Sequence, residues 1–214
     1  VVHDVRTNRN FSRRVSEERI EEFHNFAQDF NSLLDEMEEW QLRLQAKNAQ
    51  LLRTALHDPL TGLANRAAFR SSISALMNDN SARSSSALLF LDGDNFKFVN
   101  DTWGHAAGDR VLIEVARRLA EFGGNRHIPY RLGGDEFAVV LYGVHSDYEV
   151  QRISAALSQE FNRPFDLHNG HLVSMTLSMG YALTWEHASA EKLQELADRN
   201  MYQAKHQRTE RSIK

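Results

Sequence analysis

The stretch Arg131-Leu-Gly-Gly-Asp-Glu-Phe137 decides the fold prediction for this chain, because strand-forming residues flank it on both sides. Gly133 and Gly134 lie where a tight hairpin turn belongs, since glycine reaches positive φ without steric cost and lets a ligand approach the backbone. Asp135 and Glu136 follow directly, and adjacent carboxylates repel each other unless a cation lies between them. The turn therefore indicates a Mg²⁺ site, although on these residues alone a hairpin with a solvated acidic tip is an equally good interpretation.

A second acidic segment favours the metal site. Residues 87–91 form a short apolar run that ends in Asp92-Gly93-Asp94, which is typical of a buried strand with carboxylates at its C-terminal end. If this strand end lies beside the hairpin turn, Asp92 converges with Asp135 and Glu136. Carboxylate oxygens suit Mg²⁺, and Mg²⁺ in turn suits a nucleotide triphosphate, whose phosphate oxygens two such ions would bridge during an in-line displacement.

The remaining pattern predicts an α+β fold with a mainly antiparallel sheet flanked by helices. The predicted elements are helices at 66–77, 95–101, 108–122, 147–161 and 188–207, a strand at 87–91, a hairpin at 128–141, and a second hairpin of 164–167 with 172–183. The second hairpin is predicted to turn at His168-Asn-Gly-His171. No Gly-x-Gly-x-x-Gly or Walker motif is present, so the sequence does not support a Rossmann or P-loop domain.

The composition excludes several classes of protein. The 214 residues are 42% hydrophobic and 25% charged, which is ordinary for one globular domain with an extension. A net charge of −4 provides no basic field for DNA or RNA, so a nucleic-acid polymer is disfavoured as a partner. Without cysteine there are no disulfides or thiolate metal sites. The chain contains no run of 18 apolar residues and no signal-peptide pattern, so it is not predicted to span a membrane.

Residues 1–56 are predicted to form a separate helical segment before a domain at 57–214. From Glu17 to about Leu56 the sequence has no glycine or proline. Apolar residues there recur at alternating spacings of three and four: Phe23, Phe26, Phe30, Leu33, Met37, Trp40 and Leu44. This heptad seam predicts a parallel dimeric coiled coil, because a helix of such length is too long for one small domain to cover. The alternative is a monomeric helix that packs on its own domain.

Four motifs together resemble the diguanylate cyclase, or GGDEF, family. The family pattern Asp-x-Asp-x-Phe-Lys-x-x-Asn-Asp-x-x-Gly-His-x-x-Gly-Asp is matched at each named position from Asp92 to Asp109. The other matches are 57–66, the glycine turn itself and 197–205, in the family's order, so the resemblance covers about 57–208. It implies a nucleotide-cyclase or palm-like fold and the condensation of two GTP into cyclic di-GMP with release of two pyrophosphates. Within the family, the chain resembles the membrane-bound YfiN/TpbB type.

The resemblance also implies the metal ligands and the phosphate contacts. It assigns Asp92, the Gly93 carbonyl and Glu136 to metal, with two Mg²⁺ per GTP and Mn²⁺ as a substitute. Asp135 is either the second metal contact or the base that takes the proton from the attacking 3′-hydroxyl. The family's phosphate contacts correspond to Lys97, which would neutralise charge, and to Lys205.

The resemblance implies that Asn100 and Asp109 read the guanine base. A carboxylate accepts hydrogen bonds from guanine N1–H and N2–H₂, a donor pair that adenine lacks, so a paired site rejects the wrong base strongly. The alternative for Asp109 is a carboxylate placed at a helix N-terminus by the helix dipole. His105 either touches the base or only packs the turn at 103–108.

Two positions depart from the family pattern. The usual Ala-Lys-x-x-Gly-Arg-Asn ending reads Ala204-Lys-His-Gln-Arg-Thr209, so the phosphate-binding arginine is displaced and Arg208 is the expected substitute. Many members also carry an Arg-x-x-Asp product-inhibition site, whose positions are occupied here by Gly124 and His127. That inhibitory site is therefore predicted to be absent.

Residues 10–15 and 22–34 resemble the connector and second helix of a HAMP module. This resemblance and the start at Val1 lead us to expect the cytoplasmic portion of a longer inner-membrane receptor for signal transduction, attached to the membrane through a segment outside this sequence. Because each cyclase site would hold one GTP, two sites must face each other in a homodimer. The alternatives are a degenerate domain that binds GTP or cyclic di-GMP without turnover, and a structural HAMP–coiled-coil module, which leaves the catalytic motifs unexplained.

Overall fold

The protein is represented by a computed structural model that describes residues 21–124, 126–167 and 171–212. The chain divides after Ala55 into two compact units. The HAMP-like residues 10–15, the predicted helix start at Glu17 and most of the predicted turn at His168–His171 lie outside the described residues.

The first unit contains helix α1 (Glu21–Leu56), which confirms the predicted N-terminal helix. Ala27 and Leu34 are buried and lie two turns apart on one stripe of α1. Among the seam residues whose side chains the structure describes, Phe30 is half-buried and the others are exposed: Phe26, Leu33, Met37, Trp40 and Leu44. None of the described helices combines the length and the apolar content needed to cross a membrane.

Within the described residues, the main sheet of the second unit has the strand order β1-β3-β4-β2-β7. Its strands are β1 (Ala64–Asn65), β2 (Ser86–Gly93), β3 (His127–Gly133), β4 (Glu136–Tyr142) and β7 (Leu177–Leu183). β1 pairs parallel with β3, whereas the other neighbours pair antiparallel, as predicted. β2 lies between β4 and β7, so nearly all of it is buried. Its acidic C-terminal end therefore has a neighbouring strand on each side.

Helices cover both faces of this sheet. They are α2 (Arg66–Asn78), α3 (Asn80–Arg83), α4 (Phe96–Trp103), α5 (His105–Gly123), α6 (Asp147–Phe161) and α7 (Ala190–Ser212). Alternate residues of β2 point to opposite faces. Leu89 and Leu91 join a core with side chains of α5 and α6, and Leu88 and Phe90 join one with side chains of α2 and α7. The C-terminal end of β2 therefore lies between the helices on one face of the sheet and those on the other.

The predicted second hairpin is wrong in its extent. Residues 172–183 do not form one strand: β5 (Phe165–Asp166) pairs with β6 (Leu172–Val173), and β7 begins only at Leu177. Between β6 and β7, Met175 enters the main core and the Thr176 carbonyl accepts a hydrogen bond from the Asp94 N–H. The chain leaves the small hairpin at this point because β7 must pair with β2 in the main sheet.

Candidate active site

Strand pairing brings the predicted acidic residues together. In the register between β2 and β4, Asp92 lies directly opposite Glu136. The turn before β4 holds Gly133 at φ 141° and Gly134 at φ 52°, which non-glycine residues rarely adopt, so the predicted role of both glycines agrees with the backbone. Asp135 therefore lies on a turn beside the end of β2.

The Asp135 carboxylate lies over Gly93. The Gly93 N–H donates to the Asp135 carbonyl at 3.3 Å, and a Cβ added at Gly93 would lie 3.1 Å from Asp135 Oδ2. Burial raises the pKa of Asp135, and the neighbouring charge of Asp92 raises it further. Both effects describe an acidic group whose negative charge is poorly compensated, as expected for a cation ligand.

Helix α7 brings Lys205 to the end of β2. Lys205 Nζ donates to Asp92 Oδ1, and Asp92 is only 14% exposed. Burial lowers the pKa of Lys205, but the hydrogen bond to Asp92 and the charges of Asp92, Asp135 and Asp94 outweigh it, so the pKa lies above its usual value. Lys205 thus lies at the end of β2, where its partner is a carboxylate, and its role as a phosphate contact stays a prediction.

Glu136 points toward a different cation. Its Oε2 lies 3.0 Å from Arg66 Nη2, and both side chains are about half exposed. The Arg66 Nε donates to the Leu132 carbonyl at 2.8 Å, which anchors the guanidinium beside the turn. No role for Arg66 was predicted from the sequence, although Arg66 is the last residue of the matched segment 57–66.

Arg208 lies at the same end of the sheet but is held by Asp94. Its Nη1 lies 2.9 Å from Asp94 Oδ2 and 2.9 Å from the Leu177 carbonyl oxygen. The Thr176 and Ser178 hydroxyls donate to the two oxygens of Asp94 at 2.5 Å each. This role of Asp94 was not predicted from the sequence. The available signal was the segment Asp92-Gly-Asp94, in which a second acidic residue follows Asp92 two positions later.

The predicted nucleotide-binding residues lie on α4 and α5. Lys97, His105 and Asp109 are exposed, and Asn100 is half-buried. A Cβ added at Gly108 would lie 2.0 Å from Asn100 Oδ1, so the Asn100 carboxamide rests on Gly108, next to Asp109 in the chain. Since α5 begins at His105 and its first turn holds no acidic residue, the helix dipole does not account for Asp109.

A partly buried ion pair supports the glycine turn. Arg131 Nη1 lies 2.8 Å from Asp58 Oδ1, and Arg131 Nε and Nη2 donate to the Gly134 carbonyl at 3.2 and 2.9 Å. Thr61 donates to the same Asp58 oxygen through its N–H and its hydroxyl. The sequence reading did not assign Arg131 or Asp58 a function, although Arg131 opens the stretch that identified the turn.

The donor set fits Mg²⁺. Asp92, the Gly93 carbonyl, Asp135 and Glu136 supply oxygen only, which is the chemistry Mg²⁺ prefers. Across the described parts of the chain, no three His, Cys, Asp or Glu side chains already form a metal-ligand cluster. Asp92 is instead paired with Lys205, and Glu136 with Arg66. These residues could therefore hold the metal after the two cations move.

Comparison with known sequences gives a consistent result. The sequence model described as "Diguanylate cyclase, GGDEF domain" matches residues 55–211. The chain is 80% identical over its full length to diguanylate cyclase DgcN of Escherichia coli, of which it covers 52%. It is 44% identical over 97% of its length to diguanylate cyclase TpbB of Pseudomonas aeruginosa, of which it covers 48%. The chain thus spans about half the length of these curated relatives.

Solved structures share the fold. The GGDEF domain of TpbB (YfiN) from Pseudomonas aeruginosa aligns with a TM-score of 0.67 and 42% identity, covering 71% of this chain and 89% of that one. The coiled coil and GGDEF domain of DgcB from Caulobacter crescentus, in complex with c-di-GMP, aligns with a TM-score of 0.74 and 27% identity. That alignment covers 83% of this chain and 94% of the other.

Proposed function

This chain belongs to the diguanylate cyclase GGDEF domain family, and we propose that it condenses two GTP into cyclic di-GMP and two pyrophosphates with Mg²⁺. The observation that carries the proposal is the placement of Asp92 opposite Glu136, with Asp135 above Gly93 and Lys205 against Asp92. A structural module would not need three carboxylates at one strand end, since like charges held together cost stability.

The proposed reaction assigns each charged residue a task. Asp92, the Gly93 carbonyl and Glu136 hold the metal, and Asp135 is either a further ligand or the base for the 3′-hydroxyl. When bound, Mg²⁺ would supply positive charge that stabilises the negative charge developing on the phosphate oxygens during displacement at the α-phosphorus. Lys97 and Lys205 neutralise charge on the triphosphate. Gly133 and Gly134 have no side chain, so the triphosphate can approach their backbone closely.

Base selection is proposed to depend on Asn100 and Asp109. The Asn100 carboxamide lies on Gly108, directly before Asp109 in the chain, so both groups belong to the α4–α5 pair. Together they offer acceptors for guanine N1–H and N2–H₂. Adenine would leave these acceptors unpaired, which is the basis for selecting GTP over ATP. His105 is exposed on the first turn of α5 and is proposed as an additional contact.

Turnover is proposed to require a homodimer formed through α1. Each site binds one GTP, so the 3′-hydroxyl of one nucleotide must meet the α-phosphorus of a second nucleotide on another copy. The exposed stripe on α1 supports pairing, because Trp40 is 75% and Leu44 is 62% exposed. Water-exposed apolar side chains at heptad spacing are typical of coiled-coil seams. The solved DgcB relative includes a coiled coil.

The chain is further proposed to be the cytoplasmic output portion of a membrane receptor. Its relatives DgcN and TpbB are about twice as long as the matched region. The HAMP-like residues 10–15 and 22–34 support a signal that arrives through α1. In that arrangement the register of the helix pair would set how two cyclase units face each other.

The proposal is tested by incubating the purified chain with GTP and Mg²⁺ and separating the products by liquid chromatography with mass detection. We expect cyclic di-GMP and two equivalents of pyrophosphate, and no product when Mg²⁺ is chelated. GTP that binds but is not converted, at chain concentrations where sedimentation shows a dimer, would instead identify a nucleotide sensor.

A further inference from the structure

Both carboxylates that the proposed function assigns to metal are neutralised by basic side chains of the same chain. Asp92 is paired with Lys205 of α7, and Glu136 is paired with Arg66 of α2. The two cations come from the two helices that cover one face of the sheet. An ion that enters this site must therefore displace basic groups as well as water.

We propose that Lys205 is an internal counterion that occupies Asp92 until a metal–nucleotide complex arrives, so that the site rejects free divalent metal and accepts metal only together with a triphosphate. The inference rests on the proposed function, because it needs a triphosphate to receive the displaced ammonium group. Under this inference, the binding of metal and the binding of nucleotide are coupled, and the coupling depends on Lys205.

The first argument is electrostatic. Asp92 is 14% exposed and lies next to Gly93, whose N–H donates to the Asp135 carbonyl at 3.3 Å, so the two acidic residues are neighbours. Two carboxylates in a partly buried position repel each other, and a cation between them relieves the repulsion. Lys205 supplies that charge, since its ammonium donates to Asp92 Oδ1. A divalent ion that enters the site would be attracted by the carboxylates and repelled by the Lys205 ammonium.

The second argument is the immobility of the helix that carries Lys205. A Cβ added at Gly180 would lie 1.9 Å from the Met201 backbone nitrogen and 2.5 Å from the Ala197 carbonyl oxygen, so the α7 backbone lies directly on β7. One turn beyond Lys205, Arg208 is bonded to Asp94 and to the Leu177 carbonyl. With α7 held on both sides, Lys205 can exchange partners by side-chain rotation alone.

The third argument concerns side-chain chemistry. A lysine ammonium is a compact charge on a flexible stem with three rotatable donors, whereas an arginine fork is held by planar geometry. Lys205 is 40% exposed, so its outer end can turn toward a triphosphate without leaving a cavity. Arg208 is fixed to a carboxylate that two hydroxyls also hold. Lys205 is thus the mobile cation and Arg208 the anchor.

The consequence is a reciprocal coupling. If nucleotide phosphate draws Lys205 away from Asp92, nucleotide strengthens metal binding, and metal strengthens nucleotide binding by the same factor. Arg66 should contribute less to this coupling, because the pair with Glu136 is about half exposed and screened by water.

The test measures metal binding without nucleotide. Mn²⁺ alone is titrated into the intact chain and the free ion is counted by electron paramagnetic resonance, for the parent, Lys205→Met and Lys205→Arg. Lys192→Met is the matched control, because it removes the same charge from an exposed position of α7. The same proteins are then titrated with α,β-methylene GTP in the presence of Mn²⁺.

We expect Lys205→Met to bind Mn²⁺ alone at least about tenfold more tightly than the parent, because a cation in contact with the ligand is gone. The same variant should bind the Mn²⁺–nucleotide analogue more weakly, and Lys205→Arg and Lys192→Met should retain the weak Mn²⁺ affinity of the parent. Mn²⁺ affinity in Lys205→Met that equals or falls below the parent, or Mn²⁺ that binds no variant, would overturn the inference. A parent that makes no cyclic di-GMP while the Mn²⁺ difference persists would count against the proposed function alone.

Discussion

Asp58 and Arg131 form a partly buried ion pair that connects the start of the second unit to its glycine turn. Their side chains are 17% and 10% exposed, and Arg131 Nη1 lies 2.8 Å from Asp58 Oδ1. The same guanidinium donates to the Gly134 carbonyl, directly before Asp135. Asp58 follows the last residue of α1 by two positions.

Replacing Asp58 with Ala should leave the Arg131 guanidinium partly buried and without this counterion. Removing one partner of this partly buried, hydrogen-bonded pair costs about 1–3 kcal/mol of unfolding free energy, which denaturant titration measures. Cyclase activity should fall further than stability explains, because the Gly134 carbonyl loses its fixed support. Asp79→Ala, which removes an exposed N-cap acid of the short helix α3, is the comparison. Equal activity in the parent and Asp58→Ala would contradict the positioning role.

The same pair predicts a pH dependence of stability. Burial alone would raise the pKa of Asp58, but hydrogen bonds from Thr61 and Arg131 outweigh it, so the pKa lies below its usual value. A carboxyl whose pKa is lowered by folding stabilises the protein above its unfolded pKa of about 3.9, and this contribution is lost as pH falls through the folded value. The parent should therefore lose more stability than Asp58→Asn between pH 5 and 2, as measured by thermal unfolding. Parallel curves for the two proteins would exclude this linkage.

Changing Asp135 to Asn or Glu136 to Gln should abolish turnover and preserve the fold. Each change removes one charge facing the proposed metal and keeps the shape of the side chain. The exposed pair of Glu136 with Arg66 contributes only about 0–1 kcal/mol, so thermal unfolding of that variant should match the parent. Glu121→Gln, at an exposed position of α5, is the control and should keep full activity. Product formation by both single variants would refute the metal assignment.

Replacing Gly108 with Ala should disturb guanine binding through Asn100. The new methyl group would stand 2.0 Å from the present position of Asn100 Oδ1, so the carboxamide must move. We expect about a tenfold higher KM for GTP and a stability loss of about 1–3 kcal/mol, because the added methyl group would also lie 3.1 Å from Phe96 Cζ. In an Asn100→Ala background the additional effect of Gly108→Ala should vanish, which a double-mutant cycle tests. Additive losses would show that Gly108 acts by another route.

Leu33→Glu should separate the proposed dimer. Leu33 is 51% exposed in one chain, so the charge costs little in a monomer, whereas a coiled-coil seam would bury two unpaired carboxylates. Sedimentation at micromolar concentration should show a monomer that binds GTP and lacks cyclase activity. Gln28→Glu places the same charge on another side of α1 and should remain dimeric and active. A dimeric Leu33→Glu chain would place the interface elsewhere.

The sequence by itself determined the local elements around the site. Glycines at 133 and 134 predicted the turn, and the apolar run at 87–91 predicted the strand that carries Asp92, because hairpin turns and buried strands have short-range residue requirements. The helix predicted at 147–161 agrees with α6. The spacing of the matched motif also placed Asn100 and Asp109 on neighbouring helices.

Only the tertiary structure decided which distant side chains meet. Lys205 lies 113 positions from Asp92, and Arg208 lies 114 positions from Asp94. These pairs arise because α7 packs on β7, which in turn pairs with β2, and no local periodicity encodes that order. The division of residues 172–183 into β6 and β7 could likewise not be predicted from the sequence. Both segments contain strand-forming residues, and which strand each one pairs with depends on the whole sheet.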